Sequence, residues 1–141
     1  MELNVFDITK DAVPVQLKHP VTQELLFDGD PKDNKKCCVL LYGKDSAAFK
    51  ERQRMLSDKA LESTLKNRGR PKLSAAELEE DNIITLVACI AGFTNMEVDG
   101  KPMGSTAAEV RSVLERFPWI AEQADENITD RSNFIKSSAK R

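Results

Sequence analysis

Residues 114–134 read LERFPWIAEQADENITDRSNF, and this stretch decides how the second half of the chain is built. It holds the sole tryptophan, Trp119, directly after Phe117-Pro118. A residue before proline is pushed out of the helical region, whereas proline itself suits the first helical turn. The spacing therefore predicts two helices meeting at a sharp corner, with Phe117 and Trp119 at the hinge. Stepping about 100° per residue, Ile120, Ala124, Ile128, Arg131 and Ile135 share one face, with Phe134 beside it. Arg131 then sits within an apolar face, where a solvated arginine is not expected. It reads as a buried structural tie, paired with Asp130, Asp125 or Asp99 or satisfying carbonyls at a helix end.

Working back from the corner, Ser105 or Thr106 caps the preceding helix, with Glu109 reaching back, and that helix runs to Arg116. Upstream, residues 97–103 read as a hairpin-like loop turning at Asp99-Gly100. Ser74-Ala75-Ala76-Glu77 matches a capping box and opens a helix that the pattern carries to about Gly92. Within it, residues 83–91 are apolar all round, so this helix is either the central buried one or is covered by a partner. Asp45-Ser46 offers the cap of an earlier helix over about residues 47–66, with apolar spacing through Ala48, Phe49, Met55, Leu56, Ala60 and Leu61. The break at Asn67 to Lys72 ends it.

The first third of the chain is β-prone. Val13, Val15 and Leu17 alternate with Gln16 and Lys18, a half-buried strand that Pro14 places near an edge or at a strand start. Residues 24–27 are expected to form a short second strand, and residues 37–42, CCVLLY, a third closed by Gly43. Asp28 to Asn34 is a loop by its turn residues. Three strands with one apolar face cannot stand alone and must be covered by helices. The expected fold is α+β, mainly α: a small N-terminal antiparallel sheet packed on about four helices. Residues 1–12 are expected to be a flexible arm, residues 13–135 a single domain, and residues 136–141 a frayed basic tail.

A chain of 141 residues with 40% apolar and 31% charged positions suits one modest core. Its net charge of −2 excludes non-specific nucleic-acid binding by bulk charge. The charge is unevenly spread, however. Residues 44–72 carry nine basic and four acidic side chains, and residues 73–130 three basic and twelve acidic, giving net values of +5 and −9. Such halves either pack against each other or face a partner. Three cysteines, Cys37, Cys38 and Cys89, lack ligand spacing or a disulfide framework and read as reduced, small apolar residues of a cytoplasmic protein. The start, MELNVFDITKD, shows no secretory signal pattern, and the longest apolar run is too short to span a bilayer.

Nothing in the pattern points to catalysis. His19 is the sole histidine and sits in a His-Pro turn. Glu77, Glu79, Glu80 and Asp81 crowd a helix start, where they complement its dipole. Phosphate-binding glycine loops and zinc-protease motifs are absent. No enzyme activity, cofactor or metal is expected. Arg68-Gly69-Arg70-Pro71-Lys72 resembles an AT-hook, whose arginines lie in a narrow minor groove, but it also makes an ordinary helix-to-helix linker. Phe117 and Trp119 read as core packing first and as a partner hot spot second.

The colinear series of features resembles the tail assembly chaperones of long-tailed bacteriophages and prophages. The matching parts are residues 15–22 (VQLKHPVT), 41–46 (LYGKDS), 89–93 (CIAGF), 98–102 (VDGKP), 116–120 (RFPWI) and 130–134 (DRSNF). The resemblance implies a non-enzymatic protein of the host cytoplasm that coats the long helical tape measure protein. It would give way to tail tube subunits as the tube polymerises and be missing from the mature virion. A longer form made by ribosomal frameshifting would recruit the tail tube protein, and the present chain would be the short form. Phe117, Trp119, Arg131 and the basic residues Arg52, Arg54 and Lys59 are the candidate protein-binding positions, for the client or for a neighbouring copy of the chain. Membrane and nucleic acid are not expected partners. Two other classes fit the same residues: a different phage structural or head–tail joining protein, and a small DNA-binding protein using Arg68 to Lys72.

Overall fold

Alternation makes the first strand. Strand β1 (Val13–Gln16) turns Val13 into the core, and the extended chain beyond it buries Leu17 completely. In the computed structural model, which describes residue 3 and residues 7–66 and 74–135, β1 pairs antiparallel with β2 (Cys38–Leu41). Val13 stands opposite Leu41, and Gln16 opposite Cys38. Strand β2 is the middle strand, which is why its run is apolar throughout: Cys38, Val39 and Leu41 are all buried.

The third strand comes from elsewhere than expected. Residues 24–27 make only single bridges, Leu25 with Lys18 and Phe27 with Lys36. The place beside β2 is taken by β3 (Ile90–Thr94), antiparallel, with Val39 opposite Phe93 and a register shift between Leu40 and Leu41. The helix expected to reach Gly92 therefore stops sooner. Helix α2 (Ala75–Cys89) starts at Ser74, whose hydroxyl accepts from the Glu77 amide at 3.2 Å, and runs into β3 without a loop. Ile90 is already extended, at φ −102° and ψ 117°. An all-round apolar run suits a buried helix end and a buried strand equally, so periodicity does not mark the change.

Before it lies α1 (Ala47–Lys66). Ser46, itself buried, caps α1 by accepting from the Phe49 amide at 3.2 Å and donates to the Gly43 carbonyl at 2.6 Å. After β3 comes a two-stranded hairpin, β4 (Glu97–Val98) and β5 (Lys101–Pro102). It turns at Asp99 and Gly100 as expected, with φ of 53° and 77°, the left-handed pair that a two-residue hairpin turn requires. Helix α3 (Ala107–Arg116) is capped by Thr106, which accepts from the Glu109 amide and donates to the Glu109 carboxylate at 2.7 Å. Helix α4 (Pro118–Ile128) follows with only Phe117 between, so the predicted corner is present.

Helix α4 ends at Ile128, and this overturns the reading of Arg131. The Asp130 carboxylate accepts from the Ser132 amide and hydroxyl and starts a tight 3-10 turn, Arg131–Phe134. The break rotates Arg131 off the apolar face. Its side chain is 57% exposed and pairs with Asp45, at 2.9 and 3.1 Å, rather than with Asp130, Asp125 or Asp99. Phe134 takes the buried place instead. Its ring lies against Gly43, where a Cβ would come within 2.8 Å of it, so Gly43 is required for close approach.

The core gathers Leu17, Val39 and Leu41 of the sheet side with Leu86, Val110, Leu114, Ile120 and Ile128 of the helices and Phe134 of the final turn. Packing begins before Val13: Ile8 bridges Ile135, and the Thr9 amide donates to the Phe134 carbonyl at 2.7 Å. The basic tail at residues 136–141 lies outside the described residues, as does part of the arm.

Candidate protein-binding surfaces

Two surfaces collect the residues singled out in the sequence. The first is the aromatic corner. Pro118 forces the helix break, and the break turns the Phe117 and Trp119 rings toward each other, edge to face, with centroids 6.4 Å apart. The Arg116 guanidinium stands 5.3 Å from the Phe117 centroid and also grips Asp99 at 2.7 and 3.1 Å, so it staples the β4–β5 turn to the end of α3. This pairing holds the Asp99 carboxyl below the usual carboxylate range.

Both rings are half-buried. Each packs against the core and also lines a cleft of about 250 Å³ with Phe27, Met96, Met103 and Ile120. The core reading of these two side chains thus holds for one side of each, and the other side borders the cleft. Cys37 shares the cleft, with its thiol donating to the Asn95 carbonyl at 3.2 Å. Burial first, and the Asp28 carboxylate second, push that thiol up. Cys89, deep in the core, is pushed up to about 11 by burial alone. Neither is a ready thiolate at neutral pH.

The second surface is α1. None of its side chains is buried, and Met55, Leu61 and Leu65 are 52%, 61% and 73% exposed. Leu61 follows Arg54 by seven residues and precedes Leu65 by four, so the three share one helical side. Arg54 is solvated and, among the described residues, its salt bridge is along its own helix, with Glu51 at 2.8 Å. Arg52 lies on the opposite side, its side chain 11% exposed between α1 and α2, where it donates to Thr85 at 3.2 Å and to Asp81 at 3.4 Å. Lys59 donates to both Asp81 oxygens at 3.1 Å. Of the sequence candidates, Arg52 and Lys59 are thus engaged in holding α1 to α2, Arg131 ties the final turn to the segment before α1, Arg54 faces outward, and Phe117 and Trp119 are half-buried at the cleft. Leu61 and Leu65 join Arg54 on the outward side, whereas the other apolar row of α1, Phe49, Leu56 and Ala60, lies on another side of the helix.

The remaining motifs take structural roles. His19 accepts the Val21 and Thr22 amides at 3.1 and 3.2 Å, closing its own turn. Glu80 grips Arg111 at 2.6 and 2.7 Å, which holds its carboxyl below the ordinary value. The basic and acidic halves of the chain therefore meet across α1 and α2 chiefly at Asp81. The AT-hook-like segment, Arg68 to Lys72, lies outside the described residues. Among the described residues no group of three or more His, Cys, Asp and Glu side chains is placed to hold a metal ion. No described helix is long and apolar enough to cross a membrane.

What fold and surfaces define is an α+β domain with one helix held on its outside. No protein-family model, no curated protein and no solved structure matches the chain.

Proposed function

We propose that this protein is a tail assembly chaperone, a non-catalytic binder that keeps the tape measure protein of a long-tailed phage soluble in the host cytoplasm until tail tube subunits replace it. The colinear resemblance supplies the class. The observation that carries the reading is α1: a helix of 20 residues with no buried side chain and large apolar residues turned to solvent. Apolar residues grouped on an exposed helix keep an unfavourable free energy of hydration unless a partner covers them. A long amphipathic helical client supplies such a cover in the helix-on-helix manner. The aromatic cleft at Phe117 and Trp119 offers a second contact, since tryptophan in a partly desolvated pocket is a favoured hot spot.

The test is co-expression with the tape measure protein of the same phage. Wild type is expected to keep the client soluble and to co-purify with it. Leu61→Glu/Leu65→Glu is expected to abolish co-purification while leaving the circular dichroism spectrum unchanged. Arg54→Glu and Trp119→Ala are expected to weaken it. If all these variants retain the client at wild-type level while folded, the surfaces are wrongly assigned. If the wild type neither binds nor protects the client, or is found in purified virions, the chaperone reading is wrong.

A further inference from the structure

A third surface belongs to none of the sequence candidates. Helices α2 and α4 leave between them a groove of about 310 Å³. Its floor is Ile83 and Leu86 of α2 and the small Ala121 of α4; its rim is Glu79, Glu122 and Asp125. On α2, Glu79, Ile83 and Leu86 follow one helical strip, and on α4 Ala121 and Asp125 do the same, so the groove runs along both axes.

The rim is unusual in its charges. Three consecutive carboxylates on α2 turn to three different neighbours. Asp81 meets Arg52 and Lys59 of α1, and Glu80 meets Arg111 of α3. Glu79 borders α4, where it faces Glu122 and Asp125 across the groove. Among the described residues, none of these three rim carboxylates forms a salt bridge. Asp125 also falls in the last turn of α4, which has no basic residue, so it opposes the negative end of the helix dipole. Like charges gathered on an apolar groove, with no salt bridge to them among the described residues, make a surface that a cation from outside would complement.

We propose that the α2–α4 groove docks a basic amphipathic helix of a partner protein, with an aliphatic side chain on the Ile83, Leu86 and Ala121 floor and Lys or Arg side chains one turn to either side on Glu79, Glu122 and Asp125. The inference rests on the reading above of a helix-binding protein and adds the site and charge of the helix it takes. Apolar floor and acidic rim select together: a neutral amphipathic helix gains the first alone, and a basic helix without an apolar row gains the second alone.

The probe is a fluorescein-labelled amphipathic peptide of leucine and lysine, of about 18 residues so that it can form a stable helix on docking, titrated by anisotropy against the whole chain. Glu122→Lys/Asp125→Lys is expected to weaken binding about tenfold or more, and Ala121→Phe, which fills the floor without changing charge, to weaken it comparably. Asp33→Lys, a reversal in the Pro31–Asp33 turn, is expected to leave it within about twofold. Added salt weakens the wild type toward the charge-reversed variant. Near-ultraviolet dichroism confirms that each variant is folded, and the surface charge reversal decides the matter if Ala121→Phe is not. The proposal is overturned if the charge-reversed variant binds equally, or if a leucine–glutamate or serine–lysine peptide binds as tightly. It is overturned too if the groove instead holds a second copy, seen as a concentration-dependent mass that Glu122→Lys/Asp125→Lys abolishes while the peptide does not bind. A chain that protects the tape measure protein yet ignores the peptide loses this inference and keeps its chaperone reading; one that binds the peptide but never protects the client keeps the groove and loses the chaperone.

Discussion

Helices α1 and α4 are held by different physics. Helix α4 is 11 residues long and buries Ile120, Ala124 and Ile128; α1 is 20 residues long and buries none. The shorter helix is fixed by apolar area removed from water. The longer one is fixed along one side chiefly by polar stitches, Arg52 to Asp81 and Thr85 and Lys59 to Asp81, with only the half-buried Phe49 near its start packed on the core. Burial makes an element part of the fold, whereas stitching makes it an outrigger whose other side stays free. In this molecule the free side carries leucines.

The sharpest test of that contrast sets two apolar truncations side by side. Phe134→Ala, in the core that α4 completes, is expected to lower unfolding free energy by about 3–5 kcal/mol. Leu65→Ala on α1 is expected to change it by less than about 0.5 kcal/mol. Urea denaturation of both variants checks this, and a comparable loss in the two would erase the distinction between the helices.

Next in size is the stitching itself. Arg52→Ala leaves the largely buried Asp81 with the partly solvated Lys59 as its cation and is expected to cost about 1–2 kcal/mol. The loss should be local. Hydrogen exchange is expected to quicken along α1 and the first turns of α2 while Val39, Leu41 and Ile120 amides keep their protection. Uniform quickening would mean that α1 is cooperative with the core after all.

The smallest effect is acid sensitivity. Arg131 holds the Asp45 carboxyl below its ordinary range, Arg116 does so for Asp99 and Arg111 for Glu80. A depressed carboxylate stabilises the fold fully above its ordinary value and loses that contribution as pH falls through the depressed one. Melting temperature is therefore expected to hold at and above about pH 5 and to fall below about pH 4. These pairs lie in solvent, so each contributes little and salt reduces it further. In Asp45→Asn the slope below pH 4 should become shallower; an unchanged slope would show that Arg131 fastens nothing.

Much of this architecture is written locally. Ser74, Thr106 and Pro118 announce three helix starts because a cap or a fixed φ acts within one turn, and Asp99-Gly100 announces its hairpin for the same reason. What failed to show was set by distance. The residues after Cys89 become a strand because β2 has an open edge there, and only the assembled sheet supplies that edge. The helical period puts Arg131 on the apolar face only if it runs past Asp130, whose side chain caps a new turn, and its partner Asp45 lies far back in the chain. The candidate surfaces divide in the same way. The Phe117–Trp119 corner follows from Pro118, but the α2–α4 groove exists only where two helices diverge over Ala121, which no one-dimensional pattern displays.

The ring of Phe134 on Gly43, with Thr9 bonded beside it, has a meaning for the protein's birth. On the ribosome, Gly43 emerges long before Phe134: until residues 90–94 follow, β1 and β2 have no third strand, and until Phe134 follows they have no closing ring. A half-made chain is an open shell with Val39 and Leu41 bare. A molecule proposed to shield another from aggregation is thus itself exposed to that hazard until its own synthesis has passed Phe134.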